Sequence, residues 1–387
     1  MHIVVLGAGY GGLRLVEKLI GHPGMRITLV DRNRYHYMQT EVYGYIAGTK
    51  DVDEIAIDLE RWCRGFSRPV TFLAAEATKL DPAQKSLRLG DTTLAYDRLV
   101  IATGAKTAFP PFIRGLRDHS YGVKRLDRAF GFRHRFEEMI EKKLEGDDEP
   151  VNIVVAGAGL SGVEVAAEMA YMLRRYEKTL GERIDEIAIT LVDACETILP
   201  GMHPRLVRKS RQRLDRLGVV TKTSAFIEEV DDASIRLKNG GTLPYTFIVF
   251  TGGIEANTGF VPECFEKNRL GQLKVEADLS IPDHPDIYAV GDAADIKERH
   301  GRPLPPTAQV AEKSAEYVAG RICGKNRRPF RGGIDGLFIA LGGPYGAAEL
   351  FGFRFSGYGA YLLKRAVTRL YDLGIRMRAN AGYRIRR

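Results

Sequence analysis

The chain is poor in cysteine, and what it has is scattered: Cys63, Cys195, Cys264 and Cys323 stand far apart in 387 residues, with no CxxC and no metal-ligand spacing. This excludes a disulfide framework and a zinc site; it predicts isolated thiols in a reducing compartment and no bound metal. No apolar run reaches 18 residues, so no segment is read as spanning a bilayer. Met1 leads almost directly into an apolar strand, which leaves no room for a cleavable signal peptide and makes the cytoplasm the expected compartment. Low-complexity tracts are absent as well, and apart from a duplicated βαβ pattern there is no internal repeat. The length exceeds one ordinary domain and allows two lobes plus an appendix.

Charge is nearly balanced except at one end. The total is +8, yet residues 359 to 387 hold Lys364, Arg365, Arg369, Arg376, Arg378, Arg384, Arg386 and Arg387 against Asp372 alone. In the same stretch Tyr361, Leu362, Ala366, Leu370 and Leu373 recur at helical spacing, and Leu363, Val367 and Tyr371 widen the stripe. Such a helix suits a membrane interface, its apolar side entering the acyl boundary and each cation adding about 1 kcal/mol at anionic headgroups. Two other readings exist, a helix packed on the protein's own core and a basic nucleic-acid arm. No nucleic-acid partner is expected, because nothing else in the chain calls for one.

What the chain has in full is glycine at particular places. GAGYGG spans 7 to 12 and GAGLSG spans 157 to 162, each after an apolar strand, HIVVL and VNIVVA. In such a fingerprint Gly7 or Gly157 permits the tight turn. Gly9 or Gly159 lets the backbone approach a pyrophosphate at a helix N-terminus, and Gly12 or Gly162 brings helix and strand together. One copy is weak evidence; two, each in strand-turn-helix context, imply two dinucleotides. The next strands end on acids, Asp31 after RITLV and Asp193 after AITLV, positioned for ribose hydroxyls. Ala194, Cys195 and Glu196 offer no cation for a 2′-phosphate, so NADH is expected over NADPH.

The order of segments predicts an α/β chain with two Rossmann-like dinucleotide-binding domains: residues 1–110 and 276–330 form one, 111–275 the other, and 331–387 a membrane-associating segment. YDRLVIATGA closes the first block on Ala102, Thr103 and Gly104; TFIVFTGG closes the second on Gly252 and Gly253, where a ligand could come close to the backbone. IYAVGDAAD then sets Gly291 and Asp292 just past a buried strand, and PLPPTAQ opens a helix at Thr307.

This order, GxGxxG, acidic strand end, ATG, second GxGxxG, GDA, resembles the flavoprotein reductases of the glutathione-reductase-like superfamily, in which the first fold holds FAD and the second NAD(P)H. Within it, DRNRYHYMQTEVYGYIAGT, DEIAIDL, PPTAQ and the basic amphipathic tail resemble the type II NADH dehydrogenases, single-subunit NADH:quinone oxidoreductases of the membrane surface. The resemblance implies FAD as a tight, non-covalent cofactor, NADH as substrate, a quinone as acceptor, and a peripheral position on the cytoplasmic face of the cell membrane. A homodimer is left open. Carried over by residue, Asp31 binds the adenosine ribose of FAD and Asp292 the ribitol chain, with Ala8, Tyr10, Gly11 and Arg32 completing the first fingerprint's contacts. Ala308 and Gln309 aim amides at the flavin's pyrimidine edge, and Gln309 lies at the quinone side. Glu164, with Glu168 one turn on, reaches toward flavin and nicotinamide. Lys313 stands where the family usually has a second Gln, and Thr40 where it commonly has Pro. Glu164, Gln309 and Lys313 are thus the expected reacting-site residues, while His36 and Lys50 lie in a segment expected near the flavin. The main rival is sulfide:quinone oxidoreductase, which needs a cysteine pair at the flavin. A rival of another class is a slow-turnover, NADH-sensing flavoprotein.

Overall fold

The computed structural model describes residues 1–180, 187–298, 300–326 and 328–384, with the side chains of 180 and 381–384 left aside. The first sheet has six strands in the order Ser280–Ile281, His284–Ala289, Arg98–Ile101, His2–Leu6, Arg26–Asp31, Val70–Ala74, all parallel except the first pair. Every residue of HIVVL is buried, as expected where helices cover both faces of a parallel sheet. Strand ends meet at one edge: Ala102 N–H donates to Leu6 O at 2.7 Å and Val290 N–H to Ile101 O at 3.0 Å. ATG, GDA and the first fingerprint therefore converge, because their strands are neighbours.

The second sheet is parallel throughout, Tyr121–Gly122, Phe247–Phe250, Val151–Ala156, Ile187–Val192, Val220–Lys222. Two antiparallel crossing strands, Ala105–Thr107 and Ile254–Ala256, join the sheets. Asn257 locks the junction, its Nδ2 donating to Thr103 O and its carbonyl accepting from Thr103 Oγ1.

Of residues 331–387, expected as one membrane-associating segment, the described part divides in two. Gly336–Ala340, Gly346–Leu350 and Phe353–Gly357 form an antiparallel sheet, and Tyr358–Arg384 is a single long helix. That helix packs on the body with one face: Ala360, Ile375 and Ala379 are buried, and Lys364, Thr368 and Tyr371 bond to the first 170 residues. Contact with the short helix Leu59–Arg64 is so close that a Cβ on Gly65 would lie 1.8 Å from Arg378 O. The inward steps 360, 364, 368, 371, 375, 379 and the outward steps 358, 362, 366, 370, 373, 377 are those of opposite faces of one helix. Outward stand Tyr358, Leu362, Leu370, Leu373 and Met377, Leu370 being 71% exposed, with the hairpin residues Phe351 and Phe353 also exposed. Packing on the core and an exposed apolar face thus occur together, and Tyr371 belongs to the packed side. Of the tail's cations, Lys364, Arg376 and Arg378 are held against the body of the protein, while Arg365 bonds within the helix to Tyr361. Arg365 and Arg369 are exposed; Arg386, Arg387 and the side chain of Arg384 lie outside the described residues. No described helix is long and apolar enough to cross a membrane.

Candidate functional site

The two fingerprints fold alike at their glycines and acids. Gly7 and Gly157 have φ of +107° and +109°, a left-handed conformation that favours glycine. A Cβ on Gly12 would lie 1.8 Å from Gly7 O, and one on Gly162 1.8 Å from Gly157 O, so both third glycines serve helix–strand contact. Gly9 and Gly159 have nothing within 4 Å of that position: space stands open where a pyrophosphate would approach. Asp31 accepts from Ala8 N–H (2.7 Å) and Asn33 N–H (2.8 Å); Asp193 accepts from Ala158 N–H (2.5 Å) and Cys195 N–H (2.7 Å). Each carboxylate oxygen uses one lone pair and keeps another for a sugar hydroxyl. Burial pushes the Asp31 pKa up, so a further donor would be welcome there.

A cleft of 940 Å³ runs from the first fingerprint across the ends of the first sheet. Gly7, Ala8, Gly9, Tyr10, Gly11, Asp31, Arg32, Ala102, Thr103, Gly104, Gly291, Asp292, Ala308, Gln309 and Glu164 all line it, and no cysteine does. The Asp292 carboxylate has Lys124 Nζ at 3.8 Å, too far for a hydrogen bond, and burial raises its pKa. An acceptor so placed matches the polyol of a flavin dinucleotide. Thr307 caps the helix Ala308–Ile322 by accepting from Val310 N–H at 3.2 Å, which leaves the amides of Ala308 and Gln309 turned toward the cleft's edge without a helical partner. These open acceptors and donors, with the space at Gly9, fit FAD.

Glu164 enters the cleft from the second fingerprint helix, Leu160–Leu180. Its Oε1 accepts from Ala340 N–H at 2.9 Å and pairs with Lys364 Nζ. Burial raises the Glu164 pKa, Lys364 opposing. Glu168 sits on the same face, accepting from Gly343 N–H at 3.1 Å, its pKa also raised by burial. Glu41, almost wholly buried, pairs with Lys50 at 2.5 Å and accepts from Thr368 at 3.1 Å. The C-terminal helix therefore forms one wall of the cleft, through Lys364, Thr368 and Tyr371.

Three expected residues stand differently from the sequence reading. Lys313 does not line the cleft; its ammonium donates to Gly333 O (2.8 Å) and Asp335 (2.6 Å). Gln309 does line it, but its Oε1 accepts from Asp335 N–H at 2.8 Å, so the two side chains together hold residues 333–335, which carry Ile334 and lead into Phe338, both of which reach the cleft. What approaches Gly253 is the backbone of Ala108, 3.2 Å from a built Cβ, because Gly253 leads directly into the crossing strand Ile254–Ala256 and accepts from Ala108 N–H. Sequence reading missed Glu41, Tyr43, Lys124, Lys364 and Tyr371. Lys364 and Tyr371 were read as headgroup cation and apolar stripe; only their 3- and 4-residue offset from Thr368, on the opposite side from Leu370, carried a signal.

A family model, pyridine nucleotide-disulphide oxidoreductase, matches residues 1–315. The type II NADH:quinone oxidoreductase of Staphylococcus aureus (strain NCTC 8325 / PS 47) is 30% identical over 386 residues, covering 94% of this chain and 93% of the relative. The chain belongs to the type II NADH:quinone oxidoreductase family. Membership implies use of FAD and NADH. The type II NADH:quinone oxidoreductase of Staphylococcus haemolyticus is 28% identical with the same coverage. Among solved structures, NDH2 from Plasmodium falciparum in complex with NADH superposes with a TM-score of 0.87 at 19% identity, over 99% of this chain and 97% of that one. The sulfide:quinone oxidoreductase of Aquifex aeolicus superposes at 0.81 and 18% identity, over 97% and 92%. These likenesses carry the fold alone, which both enzymes share. The sequence relatives separate this chain from the second.

Proposed function

We propose that this protein passes electrons from NADH through FAD to a membrane quinone. The observation that carries the reading is one cleft in which the first fingerprint, Asp31, Asp292, the opening of the helix at Ala308 and the carboxylate of Glu164 from the second fingerprint helix all meet. When bound there, FAD accepts a two-electron hydride and can hand electrons on to a quinone. Residues 1–110 and 276–330 hold it: Gly9 and the fingerprint helix take the pyrophosphate, Asp31 the adenosine ribose and Asp292 the ribitol. Ala308 and Gln309 amides favour negative charge at the pyrimidine edge. Residues 111–275 hold NADH on Gly159 and Asp193, whose carboxylate prefers a 2′-hydroxyl to a 2′-phosphate. Glu164 orients the nicotinamide, and no protein nucleophile is required. Gln309 and Lys313 act together by holding the 333–335 loop at the quinone side.

The outward face of the C-terminal helix lies on an anionic lipid surface, which puts the protein peripherally on the cytoplasmic side of the cell membrane. Exposed Leu370, Leu373, Met377, Phe351 and Phe353 enter the acyl boundary, with Arg365 and Arg369 at headgroup level. The test is stoichiometric: purified protein mixed anaerobically with NADH and a short-chain quinone should form one quinol for each NADH consumed. NADH consumption without quinol would overturn the acceptor.

A further inference from the structure

A hydrogen-bonded chain runs from the C-terminal helix into the first fingerprint turn, and its direction can be read from chemistry. His36 is 1% exposed; its Nδ1 lies 2.9 Å from Ala8 O and its Nε2 3.1 Å from Tyr371 Oη. A carbonyl only accepts, so Nδ1 carries the proton. Burial lowers the His36 pKa to about 4, so the imidazole is neutral and Nε2 is left as an acceptor. Tyr371 therefore donates to Nε2, and the order is Tyr371 O–H, His36, Ala8 O. The other side of the Ala8 residue is held as well, its N–H donating to Asp31 Oδ2 at 2.7 Å. Ala8 is thus gripped at both ends, between the strand end Gly7 and the open position at Gly9. The Tyr10 ring packs at 5.0 Å from Tyr371 and 5.2 Å from His36, closing the chain off from water.

We infer that Tyr371 is a positioning residue for FAD, acting through His36 to fix the Ala8 peptide in the turn that receives the cofactor's pyrophosphate. The inference rests on the reading that the first fingerprint holds FAD. It ties the helix that bears the exposed apolar face, through a histidine 335 residues away in sequence, to the retention of the cofactor. Neither the ring stack nor the burial of the helix requires the hydroxyl, so Tyr371→Phe isolates the hydrogen bond.

The experiment measures FAD release from the purified full-length holoprotein, read as the rise of free-flavin fluorescence on dilution. Loss of this hydrogen bond leaves a buried acceptor unpaired, and Tyr371→Phe should release FAD about tenfold faster. In a His36→Asn background, where the amide can still meet Ala8 O but cannot reach the tyrosine, the same change should add less than about twofold. His36→Gln, which can meet the tyrosine but not Ala8, is a second background with the same expectation. Tyr361→Phe is the control: its hydroxyl accepts from Arg365 at 2.7 Å on the outer side, and release should stay at the wild-type rate. Unchanged release in Tyr371→Phe, equal factors with and without His36, or an equal effect from Tyr361→Phe would each overturn the inference. A protein that purifies without FAD fails the underlying reading instead, and this is seen in the wild-type spectrum before any variant is made.

Discussion

Replacing Lys364 by Met keeps an apolar side chain of similar length and removes the ammonium that pairs with Glu164 and lies 4.4 Å from the centre of the Tyr43 ring. Both side chains are largely buried, 14% and 12% exposed, so solvent screens the pair little. Breaking a buried pair by removing one partner costs about 3 to 5 kcal/mol; the Ala340 amide still serves Glu164, which argues for the lower end, ~3 kcal/mol. For 387 residues the unfolding entropy is on the order of 0.8 kcal/mol/K, so the melting temperature should fall about 4 °C at pH 8. The effect has a definite pH sense. Burial already holds the Glu164 pKa above its unfolded value of about 4.3, and loss of Lys364 raises it further. Between the unfolded and folded values the native state binds a proton that the unfolded chain releases, so stability is lost as pH rises through that window. The gap between variant and wild type should accordingly be smaller at pH 5 than at pH 8, because each step of protonation at Glu164 lessens its need for a cation. Scanning calorimetry of both holoproteins at the two pH values decides it. A gap of the same size at both would refute the electrostatic argument and leave Lys364 a packing residue.

Asp193→Ala should narrow the preference for NADH over NADPH in steady-state rates, since the carboxylate that repels a 2′-phosphate is gone; equal wild-type rates with both would contradict the role. Gly12→Ala should prevent folding or cofactor uptake, its Cβ meeting Gly7 O at 1.8 Å, whereas Gly9→Ala should fold with an unchanged circular dichroism spectrum and hold FAD more weakly, because open space becomes methyl only where the cofactor lies. The triple change Leu370→Ser, Leu373→Ser, Met377→Ser should abolish sedimentation with anionic liposomes while FAD stays bound, since none of the three faces the core; loss of FAD instead would put that face against the protein.

The fingerprints were legible because their constraints are local. A left-handed φ at Gly7, contact at Gly12 and an acid at the end of the next strand are each set within some thirty residues, and the chain repeats them at Gly157, Gly162 and Asp193. The convergence of ATG and GDA on the cleft follows from strand order, which the βαβ alternation suggests. The closing wall did not show, because it is made by side chains 200 to 335 residues from their partners: Lys364 to Glu164, Thr368 to Glu41, Tyr371 to His36. In a helix apolar on one side and mixed on the other, Lys364 and Tyr371 look the same whether they meet lipid, water or protein. Cutting the chain at Gly357 would therefore remove one wall of the cofactor cleft as well as the exposed face. Lys313 illustrates the reverse error: its position in a motif suggested the cleft, and its partner Asp335 turns it to the loop instead.

The central claim, that NADH is the donor to a flavin in this cleft, is tested most directly by one anaerobic titration of the purified yellow protein followed at the flavin absorbance. NADH should bleach the flavin to completion at one equivalent, and a quinone added afterwards should restore the colour; sulfide added to a second sample should leave the flavin oxidised, because no cysteine lines the cleft to take it up. Full bleaching by sulfide, or a flavin left oxidised by NADH, would contradict the account.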